Sequence, residues 1–373
     1  MCILLLLRLN LNNGPADFLV HAQIRETHKM KRATCASLAL SIGAGFAAAQ
    51  SETITVQYDM PSLDRWNYPF NGSPGSRFNA STFGAVELEG FDDHDAQFLV
   101  GFETLADITT GLDASEYQVL SAKVTITNSN GDQYRYDPTY DTHDTYLFLD
   151  DSLDTDDGRP IHLWAIGYQD GFDQTNWGEF SAFGGVAEID PTQGSRYAFA
   201  SYFPFEGSDP VNVSNNLKEE FDATPMAIAQ TDAALPGDFI PVDSDFTFDV
   251  DLCQPGIRNY LADGLTLGEV RFAITSLHAA NGGDGGGTGE IAYPFWYTKE
   301  NPIASIFGYA PRLELTVRVG NPGDFNSDGL FDFFDVSAFL TAFNAGDLSA
   351  DLNGDCALNF FDVSTFLSAY SAG

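Results

Sequence analysis

Basic residues are scarce in this chain. Its 373 residues hold 17 Lys plus Arg against 53 Asp plus Glu. Five of those bases and two of those acids fall in the first 50 residues, which leaves 12 and 51, a net charge of −39. Phosphate backbones demand a basic face, so nucleic acid is excluded as a partner. An anionic bilayer is excluded for the same reason. Cysteine is scarce too: of four, only Cys253 and Cys356 lie beyond residue 50. That rules out a disulfide-framework fold and leaves either one bridge between a main domain and the C-terminal segment or two independent thiols. The four histidines of this region, His94, His143, His162 and His278, lack zinc-site spacing, and Gly-x-Ser-x-Gly is absent. Helical periodicity is rare between residues 51 and 319, which excludes a helix bundle for that region.

What the N-terminus does contain is an export signal in form. Lys29-Met30-Lys31-Arg32 is basic, Ala33 to Phe46 is moderately apolar, and Ala47-Ala48-Ala49 precedes Gln50. Residues 30–49 are therefore expected to be a Sec-type signal peptide, with Met30 the true start and residues 1–29 a misassigned upstream extension. The Cys2 to Leu11 stretch, broken by Arg8, is too short to span a bilayer. The mature chain is expected to be extracellular or at the cell surface, with no membrane span.

Residues 50–319 read as β structure in one or two domains. Alternating or β-branched runs recur at 53–58, 97–102, 119–126, 161–168, 246–250, 270–274 and 312–319, separated by Gly, Asn and Asp. This predicts a large β-sandwich, jelly-roll-like. The polar stretch Pro204 to Pro241 reads as an inserted excursion or a seam. Trp66 and Trp177 lie in turn-like sequence and are the candidates for stacking on a sugar ring. Glu179, Glu188 and Glu290 adjoin aromatic strands and are the candidates for an acid/base pair, against the simpler reading of solvated strand edges. Asp92-Asp93-His94-Asp95 offers metal-ligand types but reads as a hydrated acidic turn. Asp151, Asp154, Asp156 and Asp157 form an irregular acid cluster, and Asn281 to Gly289 is a glycine-rich surface loop.

The C-terminal segment, 320–373, carries a repeat. Asp324, Asn326, Asp328, Asp332 and Asp335 occupy positions 1, 3, 5, 9 and 12 of one loop, with Leu330 at position 7. Asp351, Asn353, Asp355, Asn359 and Asp362 repeat the pattern, with Ala357 at position 7. Calcium takes six to eight oxygens, and this spacing supplies them, position 7 through its backbone carbonyl. An apolar stripe follows each loop: Val336, Phe339, Leu340 and Phe343, then Val363, Phe366, Leu367 and Tyr370. Two calcium sites are expected. The second is expected to be weaker: it has three carboxylates rather than four, and Cys356 stands at position 6, where glycine serves the turn.

Tandem loop-then-helix units with Asp at position 12 resemble type I dockerins over residues 321–373. The resemblance implies a small all-α calcium-binding module that attaches the chain to a cohesin-like or other cell-surface protein. Dockerins that bind cohesins carry small hydroxyl residues just before position 12; here Phe333-Phe334 and Phe360-Phe361 stand there, as core or as contacts for a different partner. The stretch 97–126 is faintly similar to DNRLRE-type β-sandwich modules of secreted bacterial proteins. Together these imply a secreted protein whose β-sandwich binds or presents an extracellular ligand of the polysaccharide class. The alternative is a polysaccharide-degrading hydrolase or lyase carrying the same tail.

Overall fold

Strand Glu52–Tyr58 pairs antiparallel with Arg312–Val319, so the first and last strands of the β region are neighbours. The computed structural model describes residues 51–86, 90–148, 157–184, 195–280 and 292–373. The leader and signal segments, Asp151, Asp154, Asp156, Glu188, Glu290 and the glycine-rich run 281–289 lie outside these residues.

The fold is mainly β, in antiparallel sheets. One sheet has four strands in the order Glu52–Tyr58, Arg312–Val319, Tyr117–Thr127, Asp245–Asp249. A second has seven: Leu63–Asn67, Gln97–Glu103, Glu269–Ser276, Ile161–Tyr168, Ala198–Tyr202 and Val211–Asn212 in order, with Ala227–Ile228 paired to Ile161–Tyr168; a third pairs Asn79–Ser81 with Phe295–Tyr297. All seven strand runs expected from the sequence lie in these sheets.

Period-two alternation explains the layering. Phe98, Val100 and Phe102 join Val124, Ile126, Leu313, Leu315 and Val317 of the other sheet in one apolar core. Leu99, on the opposite face of its strand, joins a second cluster with Trp164, Ile166, Trp177 and Val213. The central strands are therefore buried on both faces, and their near-continuous apolar sequence follows from that.

Among the described residues, three helices interrupt the β region, contrary to the expectation of β structure throughout: α1 (His143–Phe148), α2 (Ile257–Leu267) and α3 (Pro302–Phe307). Helix α2 inserts Ile257, Leu261 and Leu265 into the main core. Gly256 and Gly268, both left-handed, bound it. The stretch 204–241 is not an excursion: Ser214, Asn215 and Asn216 are buried, and its two short strands extend the second sheet.

The two C-terminal helices, α4 (Phe333–Ala345) and α5 (Phe360–Ala372), start identically. Each has a capping box in which loop position 9 is the N-cap (Asp332, Asn359) and position 12 is the third helical residue (Asp335, Asp362). The same side chains thus shape the loop and start the helix. Their stripes meet where Phe339 stacks on Phe366, ring centroids 4.3 Å apart and nearly parallel, with Phe325 edge-on to both. Each such buried Phe contributes roughly 2–3 kcal/mol. The tail and the β region belong to one compact unit.

Candidate functional site

The two loops share most of their internal hydrogen bonds, though Asp324 Oδ1 accepts from position 5 (Asp328 N) and Asp351 Oδ1 from position 4 (Gly354 N). At position 12, Asp335 Oδ1 accepts from the position-3 amide of Asn326 (3.1 Å) and Oδ2 from that of Asp332 (2.9 Å). Asp362 accepts from Asn353 (3.3 Å) and Asn359 (2.8 Å) in the same way. At position 1, Asp324 Oδ2 accepts from Gly329 N (3.0 Å) and Asp351 Oδ2 from Cys356 N (2.9 Å). The position-3 amide groups of Asn326 and Asn353 donate to the position-5 carboxylates at 3.0 and 2.8 Å. Asp324, Asp335, Asp351 and Asp362 are all about 1 % exposed or less.

These residues fit a hard cation. In each loop the carboxylates at positions 1 and 12 are buried, and an isolated buried charge is strongly unfavourable unless compensated. No described Lys, Arg or His lies within 4.0 Å of the first loop's carboxylates. In the second loop, oxygens of Asp351, Asp355 and Asp362 lie within 4.8 Å of one another, a spacing that one ion bound at calcium–oxygen distances bridges. Burial pushes the Asp351 carboxyl up, against the pull of Arg258; the Asn353 amide holds Asp355 below its usual range.

The turn geometry revises one expectation. Each loop has two left-handed residues, at positions 4 and 6: Ser327 and Gly329 in the first, Gly354 and Cys356 in the second. Each loop therefore carries one non-glycine residue in that region, and Cys356 does not set the loops apart by strain.

What does differ is how the β region holds them. Asp324 Oδ2 accepts from Ser51 N at 3.1 Å. Asp351 instead meets Arg258 of α2: Nη2 lies 3.1 Å from its Oδ2, and Nη1 donates to its backbone oxygen at 3.2 Å. Cys356 is bonded to Cys253, 103 residues earlier, so of the two alternatives open in the sequence the bridge is the one formed. Gln118 Nε2 donates to the backbone oxygens of Ser349 (3.0 Å) and Asp351 (3.3 Å). Arg258 and Gln118 carry no sequence signal for this role; only the fold brings them to the loop.

The chain matches no protein-family model and no curated protein.

Phe333, Phe334, Phe360 and Phe361 are 65–76 % exposed, so they are not core. The other sequence candidates fare differently. Trp177 is 2 % exposed, under the Arg65 guanidinium and against Tyr168; a ring so placed is no platform for a sugar, and that expectation is corrected. Trp66 lies in a strand rather than a turn and is half-buried. Its ring stacks on Tyr68 at 4.8 Å, is covered by Arg77 at 5.4 Å, and lines a shallow groove of about 490 Å³ with Ser73, Ser76 and Phe78. Glu179 is not a solvated strand edge either: Lys299 Nζ pairs with it, with Asp64 (2.8 Å) and with Glu300 (3.0 Å). The ammonium offsets one of the three carboxylate charges from within, and the Asp64 side chain is fully buried.

The Asp92–Asp95 segment is not a hydrated turn. All four residues are buried. Arg196 Nε donates to Asp92 (3.0 Å), Asn215 Nδ2 donates to Asp92 (2.8 Å), and Lys218 Nζ lies 3.1 Å from Asp93. His94 Nε2 contacts Asn216 Oδ1 at 3.1 Å.

Proposed function

We propose that this chain is an exported, dockerin-bearing calcium-binding protein. Its 50–319 region binds or presents an extracellular polysaccharide, and its 320–373 tail attaches it to a cell-surface or cohesin-like partner. The observation that carries this reading is the pair of twelve-residue loops in which the buried position-1 carboxylate accepts from the position-6 amide and the buried position-12 carboxylate from the position-3 and position-9 amides in both copies. Calcium supplies the positive charge that those carboxylates need, and the protein's own residues fix the oxygens and start each helix. The first loop, with four carboxylates and no ion pair among the described residues, is the tighter site. The second, with three carboxylates and Arg258 on one of them, is the weaker. Exposed Phe333, Phe334, Phe360 and Phe361 beside the loops form the surface for a partner with an apolar face. The Cys253–Cys356 bridge suits an oxidising compartment, in keeping with a signal peptide at 30–49. The strand order across the two sheets supports reading the β region as a jelly roll.

Electrophoresis of the mature chain through gels cast with soluble polysaccharides, in calcium buffer, tests the β region's role. Retardation by at least one polysaccharide without product release is the expected outcome. Release of reducing ends or unsaturated products would establish the enzyme instead, and unretarded migration through a broad panel would remove the polysaccharide from the proposal.

A further inference from the structure

We propose that the second calcium site is shared between the two parts of the chain, with Cys253 and Arg258 of the β region as positioning residues that tie calcium binding there to the Cys253–Cys356 bridge. The inference rests on the calcium reading of the loops given above.

Three anchors converge on the first six positions of this loop. The bridge holds Cys356, at position 6, to the turn before α2. Cys356 N in turn donates to Asp351 Oδ2, so the bridged residue also orients the position-1 carboxylate. Arg258, five residues after Cys253, reaches the same carboxylate and the Asp351 carbonyl, and its Nη2 lies 3.6 Å from Cys356 Sγ. Gln118, on a strand of the first sheet, holds the Ser349 and Asp351 carbonyls. Position 1, position 6 and the backbone entering the loop are thus fixed by groups more than 90 residues away in sequence.

The first loop is the internal control. Its position 6 is Gly329, with no covalent tie; from the β region the Ser51 amide donates to Asp324, and the Arg318 guanidinium lies over the Phe325 ring and acts electrostatically on Asp324. Severing the bridge frees position 6 of the second loop alone. A loop ordered beforehand gives up less conformational freedom when it binds. Coupling between two events on one molecule is reciprocal: if the bridge favours calcium at the second loop, calcium there must favour the bridge. Reduction is the two-electron conversion of the disulfide to two thiols by an added dithiol, which is itself oxidised.

The test uses the intact mature chain and a chromophoric chelator as competitor for calcium, before and after reduction with dithiothreitol, with Cys253→Ser/Cys356→Ser as the chain that never forms the bridge. Asp362→Ala assigns the second site. Two sites are expected in the oxidised chain. On reduction, the site lost in Asp362→Ala should weaken at least tenfold while the first changes less than twofold. Millimolar calcium should raise the dithiol excess needed to half-reduce the bridge at equilibrium at least tenfold relative to chelator, an effect that a merely structural bridge would not show. Equal affinities at the second site with and without the bridge, or equal weakening of both sites, would overturn the inference and leave the calcium reading standing. No calcium binding in the oxidised chain would overturn both.

Discussion

Substituting Asp335 by alanine is expected to silence the first loop and loosen the helix behind it while the second loop keeps its calcium. The carboxylate is fully buried and accepts the Asn326 and Asp332 amides. Alanine leaves both amides without an acceptor and removes half of the capping box of α4. Those losses amount to roughly 2–4 kcal/mol, and the loop also loses an ionised ligand. A deficit of that size corresponds to about 30- to 1,000-fold weaker binding. Calcium stoichiometry should fall from two to one, and helical circular dichroism in calcium should drop. Asp335→Asn, which keeps an acceptor oxygen but not the charge, should preserve more of the helix than of the calcium affinity. Two undiminished sites in Asp335→Ala would show that this residue is not a ligand.

The second large effect concerns acid. His94, His162 and His278 are buried, and burial above all lowers them to about 4, 3 and 3. Their folded values lie below the unfolded value near 6.5, so the fold favours the neutral rings. The stability this represents is complete above pH 6.5 and is lost as pH falls towards 4–3. Asp95, raised chiefly by burial to about 6, and Asp64, raised by burial to about 8 against the pull of Lys299, act the other way; their contribution grows as pH falls. Taken together, these five groups give a net loss of roughly 3 kcal/mol between pH 6.5 and pH 4, which the raised carboxyls of Asp93, Asp263 and Asp351 reduce further. A melting temperature lower by about 3–5 °C is expected across that interval. His162, which meets Trp164, Tyr140 and His94 edge-on or tilted, is the most informative single change. His162→Phe should flatten the dependence by about a third of the histidine contribution. Melting curves of the two chains that stay parallel from pH 7 to pH 4 would contradict this.

The parts of the fold legible in the sequence are those whose pattern is local. Strand runs such as Arg312–Val319 alternate because one face meets the core, and the loop oxygens recur at fixed spacing because one turn must direct them inward. The parts that were not legible are set by distant partners. Asp92-Asp93-His94-Asp95 looks solvated in isolation; Arg196, Asn215, Asn216 and Lys218, more than 100 residues on, supply what makes its burial tolerable. Trp177 follows Asp173, Thr175 and Asn176, which read as a turn and do form one; that turn is exposed, but the Trp177 side chain turns inward beneath Arg65. Helix α2 contains Asn259, Asp263 and Gly264, poor helix formers, and owes its place to Ile257, Leu261 and Leu265 in the core. In the candidate site, every proposed ligand was legible. The anchors Ser51, Gln118 and Arg258 were not, because nothing local marks a residue whose partner lies in another part of the chain.

Titration calorimetry of the intact mature chain, stripped of metal and then titrated with calcium, bears most directly on the central claim that each loop holds one ion. Two binding events are expected, the tighter one abolished by Asp335→Ala and the weaker one by Asp362→Ala. The absence of any calcium-dependent heat up to millimolar concentration, with the helical signal indifferent to chelator, would contradict it.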